Sequence, residues 1–376
     1  MGRAFEIDGA VLGWLLALAT LLGSPVAAAQ SNDLDEAIRL VLAGQKANNS
    51  KITDGRGKVT IDVDYGKVFV PIRKRVTVIP PGAPTELPKQ EPRFLEGADM
   101  VRVTSEMGFY FSGRTMARCD VLRWGELDTD AAGKIVVRSY SWSEGEPKEI
   151  RAFDGQRCCW AGYYSDGRYY PGVLIHPPIF FEQTSTEEMF KPWEIAESGL
   201  PLHQFLKKDK VLAFRRCDDG RWYFRVLGLD KPDWHVEMEL WIDPQYGYGI
   251  ADSKAHVNSY LFSEFKRRFK VWDKGIWFPE QVEGTVWDRG VYFKDTEAKL
   301  REKITYTITQ VEWNVGVPKE TFTLDGLGIP EGTRVSDTRH SPPREYEYLR
   351  PRGIQPGSMQ DEAAKGKQKA KPRQRK

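Results

Sequence analysis

Between Trp234 and Ile242 the chain alternates strictly, with Trp234, Val236, Met238, Leu240 and Ile242 on one side and His235, Glu237, Glu239 and Trp241 on the other. A period of two sends successive side chains to opposite faces of a strand, so this stretch predicts a half-buried antiparallel strand, apolar inside and charged outside. The pattern breaks at Asp243-Pro244 and resumes over 257–272. The run Gly275-Ile276-Trp277-Phe278-Pro279 reads as a strand end.

Elsewhere the pattern switches period only twice. Over 33–44, Leu34, Ile38 and Val41 recur at helical spacing behind Asp33, Asp35 and Glu36, which predicts one amphipathic helix. Lys58–Asp64 then opens a meander of short strands, at 68–79, 100–105, 109–111, 118–124 and 135–142, with hairpin signals at Ala132-Gly133, Asp154-Gly155, Asp166-Gly167 and Asp219-Gly220. A proline-rich loop covers 80–92. Between 177 and 208 the rhythm becomes helical, with a capping signature at Thr184-Ser185-Thr186-Glu187 and a second short helix over 199–206. Strands return at 211–216, 222–226, 281–287 and 304–313. Thr321-Phe322-Thr323-Leu324 is the last expected element, with the segment through Asp337 along the sheet edge. No sequence repeat supports a propeller.

Both ends fall outside the expected domain, which spans 30–340 of the 376 residues. Residues 10–22 form an apolar core too short to span a membrane comfortably, followed by Gly23-Ser24-Pro25 and the small residues Ala27-Ala28-Ala29. This reads as a secretory signal over 1–29, cleaved near Gln30, with an uncleaved anchor as the alternative. The last stretch, 341–376, is expected to be a disordered tail, basic from Gly353 onward with Lys365, Lys367, Lys369, Lys371, Arg373, Arg375 and Lys376. Such a tail could hold an exported protein against anionic lipid or a protein partner. The net charge of +2 leaves the body slightly acidic, which argues against a nucleic-acid binder.

The residues offer little chemistry. No nucleophile elbow, phosphate loop, zinc helix or dinucleotide fingerprint occurs, and the five histidines are scattered. Glu237 and Glu239 would sit ~7 Å apart on one strand face, within the range of an inverting glycosidase pair, but a solvated face makes the same pattern. Asp62 with Asp64 and Asp128 with Asp130 lack the later ligands of a calcium loop. No catalytic residue, metal or cofactor is therefore expected. Cys119, Cys158, Cys159 and Cys217 suggest disulfides in an exported chain, although adjacent Cys158 and Cys159 are poor partners; buried thiols are the alternative.

What stands out is aromatic content, with twelve tryptophans. By parity the apolar face of the sheet carries Trp160, Trp222, Phe224, Trp234, Met238, Leu240, Ile304 and Tyr306, alongside Val59, Ile61, Val63 and Ile308. Few helices are available to cover it. Either the helices near 34–44 and 184–206 fill the concavity, or an apolar ligand held by those eight residues does part of it.

The order of elements resembles a known family. One helix precedes a strand meander; Phe153-Asp154-Gly155-Gln156-Arg157 marks a mid-chain strand pair; helices follow. Then come Leu240-Trp241-Ile242-Asp243-Pro244, the Gly275–Pro279 run, and Phe322-Thr323-Leu324 leading to the segment from Ile329 to Asp337. This order is similar to the bacterial lipoprotein-sorting carriers, the LolA-like superfamily, which includes the LppX lipid-binding proteins and the sensor domain of RseB. The resemblance implies a mainly β (α+β) fold: a strongly curved antiparallel half-barrel with an N-terminal helix and a mid-chain helical lid over a hydrophobic cavity. It implies a periplasmic or cell-envelope carrier, monomeric and non-enzymatic, that binds an acyl chain, lipid or lipoprotein. RseB-like members imply the alternative, a sensor or protein-interaction module whose cavity is structurally filled. The carriers' lid-latching arginine has no evident counterpart in the sequence.

Overall fold

A computed structural model describes residues 24–66, 100–129, 135–141, 149–162, 172–184, 189–197, 202–231, 234–288 and 299–349. The apolar segment at 10–22, the strand expected over 68–79, the loop at 80–92, the turns at Ala132-Gly133 and Asp166-Gly167, and the basic tail from Gly353 lie outside them. So do residues 185–188 and 198–201 of the helical insertion. The helices are α1 (Ser24–Asn49), α2 (Pro178–Gln183), α3 (Pro192–Glu197) and α4 (Leu202–Phe205). The fold is mainly β, as the patterning predicts. It divides into two units, Met1–Lys51 with Glu194–Lys299, and Ile52–Trp193 with Leu300–Lys376.

The strands of the second unit are β1 (Asp54–Tyr65), β2 (Val101–Ser112), β3 (Met116–Thr129), β4 (Ile135–Ser141), β5 (Ile150–Phe153), β6 (Cys158–Gly162) and β7 (Gly172–His176). The first unit contributes β8 (Val211–Arg216), β9 (Trp222–Lys231), β10 (Trp234–Asp243), β11 (Gly249–Val257), β12 (Tyr260–Trp272) and β13 (Ile276–Asp288). β14 (Lys299–Trp313), β15 (Arg334–Asp337) and β16 (Arg344–Glu347) return to the second.

In the first unit the strands run β13–β12–β11–β10–β9–β8, a pure antiparallel meander. In the second they run β16–β15–β7–β6–β5–β3–β2–β1–β14, with β4 on β3. Only β15 beside β7 is parallel there, among the described pairings. Among the described pairings neither order closes on itself. Bulges fall at Lys58/Val59, Val236/Glu237, Trp241/Ile242, Ala255/His256 and Arg268/Phe269. Each adds local twist and bends its strand, which is how long strands curve.

Each unit has its own core. In the first, Phe224, Val226, Leu240, Ile242 and Ile250 are buried beneath Ala37 and Val41 of α1 and Leu202, Phe205 and Leu206. In the second, Ala152, Cys159, Val173, Ile175 and Val335 cluster with Leu324, Leu327 and Ile329. α1 is described from Ser24, with Pro25 at the second position of that span. It ends at Asn49, five residues beyond the expected span. Among the described residues no helix is long and apolar enough to cross a membrane.

Several boundaries differ from the pattern. The stretch 257–272 is not one element: Asn258 and Ser259, at φ 48° and 68°, make a two-residue turn joining β11 to β12. Trp277-Phe278-Pro279 does not end a strand. It lies inside β13, and Pro279 is tolerated because it sits at the Arg268/Phe269 bulge. Thr321–Leu324 is not the last ordered element but falls across two 3-10 turns, Lys319–Phe322 and Leu324–Leu327. The chain then forms β15 and, within the span read as tail, β16. The suggestion of disulfides is corrected too: all four cysteines are free, with Cys119, Cys158 and Cys159 buried.

Candidate functional site

The strongest candidate is the inner face of β9, β10 and β11 in the first unit, because pairing stacks apolar residues row upon row. Ile242 lies opposite Trp222 and Ile250, Leu240 opposite Phe224 and Ser253, Met238 opposite Val226 and Ala255, and Val236 opposite Leu229 and Val257. Residues directly opposite share a face. Aromatic rings close the side near β8: Phe214 lies 4.9 Å from Phe224 and 6.3 Å from Trp222, and Trp222 lies 5.4 Å from Tyr248.

α1 and α4 cover this face, and polar contacts fasten the cover at its margin. Asp33 meets Arg216 at 2.8 Å and Asp35 meets Lys208 at 2.7 Å, all four about half exposed. Asn48 acts like one more strand residue: its Nδ2 donates to the Trp277 carbonyl at 2.8 Å and its Oδ1 accepts from the Trp277 N–H at 3.0 Å. Asn49 donates to Glu197 at 3.1 Å, and the Lys51 ammonium donates to the Gly275 carbonyl at 2.9 Å. Between these fastenings a Cβ on Gly44 would stand 2.0 Å from the Tyr248 ring, so glycine permits the close approach of helix to turn.

Arg267 is the residue that sequence reasoning missed. It is buried on β12, its Nε donates to the Ile195 carbonyl of α3 at 2.6 Å, and its Nη1 donates to Ser253 at 3.1 Å. Burial lowers it to about 10, opposed by Asp252, so it remains charged at neutral pH. Nothing in the basic run Lys266-Arg267-Arg268 marks its middle member as inward-facing except parity with Phe265 and Phe269.

Of the eight residues predicted for the site, Trp222, Phe224, Met238 and Leu240 come together in this core. Trp234 occupies the first position of β10, and its side chain lies outside the described residues. Ile304 and Tyr306 belong to the second unit, on β14 opposite Val63 and Ile61, and Phe190 lies 6.5 Å from Tyr306 and 4.8 Å from Phe109. Trp160 lies on β6 of the second unit, where its ring is 5.9 Å from that of Phe180 on α2 and 4.2 Å from the Arg151 guanidinium, and its Nε1 donates to Glu149 at 2.7 Å.

The opposite face of β9–β12 is charged in alternating sign. One row reads Arg225, Glu239, Lys254, Glu264, and another runs Asp252, Lys266, Glu283. Glu237 accepts from Arg225 at 2.7 Å and meets His235 at 3.0 Å. The His235 hydrogen bond holds its carboxyl below the usual range, helped by Arg225, the reverse of what a general acid needs. His235 is correspondingly raised by Glu237 and Asp230. Among the described residues no group of His, Cys, Asp and Glu is arranged to hold a metal.

No protein-family model matches the chain, and no curated protein matches it. Solved structures do. A LolA superfamily protein from Nitrosomonas europaea is 9% identical, with 76% of this chain and 98% of that one covered at a TM-score of 0.37. A domain titled as an outer membrane lipoprotein-sorting protein from Vibrio parahaemolyticus is 10% identical, with 76% and 96% covered at a TM-score of 0.36. A DUF1329 family protein from Desulfovibrio piger is 9% identical, with 78% and 98% covered at a TM-score of 0.33.

Proposed function

We propose that the chain is an exported, non-enzymatic binding protein for an acyl chain or similar apolar ligand, taken up between the β9–β11 face and its cover of α1 and α4. The observation that carries this reading is a face apolar but for Ser253 among its paired rows, roofed by one helix and one helical turn and fastened at the margin. Lifting such a roof disrupts a few hydrogen bonds, each about 1 kcal/mol net, and exposed ion pairs worth about 0–1 kcal/mol each, and it uncovers the apolar side chains of Ala37, Val41, Leu202, Phe205 and Leu206. An acyl chain that replaces it regains about 0.8 kcal/mol per buried CH₂. Trp222, Phe224, Met238 and Leu240 are the proposed ligand contacts. Trp234, Trp160, Ile304 and Tyr306 remain candidates from the sequence.

A second reading is favoured by the second unit, where Phe109, Phe190 and Tyr306 fill their own apolar face. In that reading the chain is an interaction module whose apolar faces serve only stability. Met238→Asp separates the two. Titrated with a fluorescent fatty acid in detergent-free buffer, the wild-type chain is expected to bind, and the variant to lose binding while keeping its circular dichroism spectrum. An unfolded variant together with a wild-type chain that binds no probe would establish the second reading, because a solid core cannot accept an unpaired charge.

A further inference from the structure

The apolar face of β9–β12 does not stop where α1 and α4 cover it. Beyond the Met238 row lies one more, Leu229, Val236, Val257 and Tyr260, at the end of the sheet where the β11–β12 hairpin turns. Here burial ends: Leu229 is 38% exposed and Tyr260 53%, and Phe262, set outward beside the Ala255/His256 bulge, is 41% exposed. The tip is rigidly held. Asn258 N–H donates to the His235 carbonyl at 2.7 Å, and the Asn258 side chain accepts from the His235 N–H at 2.8 Å. The hairpin end thus presents Leu229 and the Tyr260 ring to solvent in continuity with the buried face, with the Phe262 ring exposed beside them at the bulge.

Charge narrows the partner. The outer face of the same strands carries charged residues in paired rows, whereas this row carries none. Several charges beside it are compensated: Asp230 and Glu237 both meet His235, and Glu237 also takes Arg225, while Lys231 stands exposed two positions beyond Leu229. A phenol and a phenyl ring beside aliphatic side chains suit the boundary between headgroups and acyl chains, where one end of the ring is wet and the other dry. We propose that this hairpin end, centred on Leu229, Tyr260 and Phe262, docks at the interface of a lipid bilayer. The role rests on the apolar-ligand reading for its purpose: the exposed row would be the mouth through which an acyl chain passes to the covered face.

The test places the probe at the tip itself, so that attachment of the chain elsewhere cannot mimic the result. In the full chain, Phe262 is replaced by 4-fluorophenylalanine and mixed with phosphatidylcholine vesicles, plain or doped with a spin-labelled lipid. The fluorine resonance is expected to broaden with the doped vesicles, and Leu229→Ser with Tyr260→Ser to reduce that broadening roughly tenfold. A resonance indifferent to the spin label, or broadening unchanged in the double variant, overturns the docking proposal. Fatty-acid titration without vesicles reports the ligand reading separately. Broadening without uptake keeps the docking surface and removes the carrier, whereas uptake without broadening does the opposite.

Discussion

At the scale of single residues, burial rather than pairing governs the cysteines. Burial pushes the thiols of Cys119, Cys158 and Cys159 up to about 12, and the Cys119 Sγ donates to the Phe190 carbonyl at 3.5 Å. Such groups are protonated and unreactive at neutral pH. A thiol reagent at mildly alkaline pH is therefore expected to modify Cys217 in the native protein and all four cysteines once it is denatured without reductant; a denatured count of two or none would mean disulfides. Asp337 is the strongest pH handle. The Arg339 guanidinium, through its hydrogen bonds, holds this carboxyl down to about 2 from 3.8. The unfolded chain takes up a proton near 3.8, so the contribution is complete above about pH 5 and disappears as the pH falls toward 2, amounting to about 2 kcal/mol. Urea titrations at neutral pH and near pH ~2.5 should show Asp337→Asn losing that stability in full at neutral pH and only about a third of it near pH ~2.5. Parity in the sequence was enough to place Trp222, Phe224, Met238 and Leu240. It could not place Arg267, because a lone arginine within a basic run looks solvated until a facing carbonyl is known.

At the scale of elements, patterning located nearly every long described strand and missed what local chemistry disguised. Asn258-Ser259 lacks the glycine that usually announces a tight hairpin, so 257–272 read as one run across it, and the rest of β11 was not read as a strand. The 3-10 turns after Pro318 looked like a strand because Thr321-Phe322-Thr323-Leu324 alternates over too few residues to fix a period. α1 was legible in its middle, yet its extension to Asn49 depends on Asn48 meeting the Trp277 backbone, a partner 229 positions away. That contact gives the element-scale prediction. Asn48→Ala removes two hydrogen bonds and leaves the Trp277 amide groups without these partners, so chemical denaturation should reveal a loss of about 1–3 kcal/mol. Hydrogen exchange should quicken in α1 before it does in β9–β11, since the roof is loosened and the sheet is not. Equal quickening in both would mean that helix and sheet open as one block.

At the scale of the whole chain, two units each build a sheet and a core from the same device, alternation with one apolar face, and use it differently. In the second unit the chain's own phenylalanines fill that face. In the first a helix lies across it, fastened at the edges, and the apolar row runs on past the cover to an exposed hairpin. Composition had raised this question by supplying many large apolar side chains and few helices; the sequence could not answer it, because cover and ligand make the same demand on the face. The most direct measurement is native mass spectrometry of the chain purified from its own cells without detergent, with organic extracts analysed in parallel. The proposal predicts a population heavier by the mass of one acyl-chain molecule, released into the extract and absent from Met238→Asp. A chain that is uniformly ligand-free, and that stays so after incubation with excess fatty acid, would contradict it.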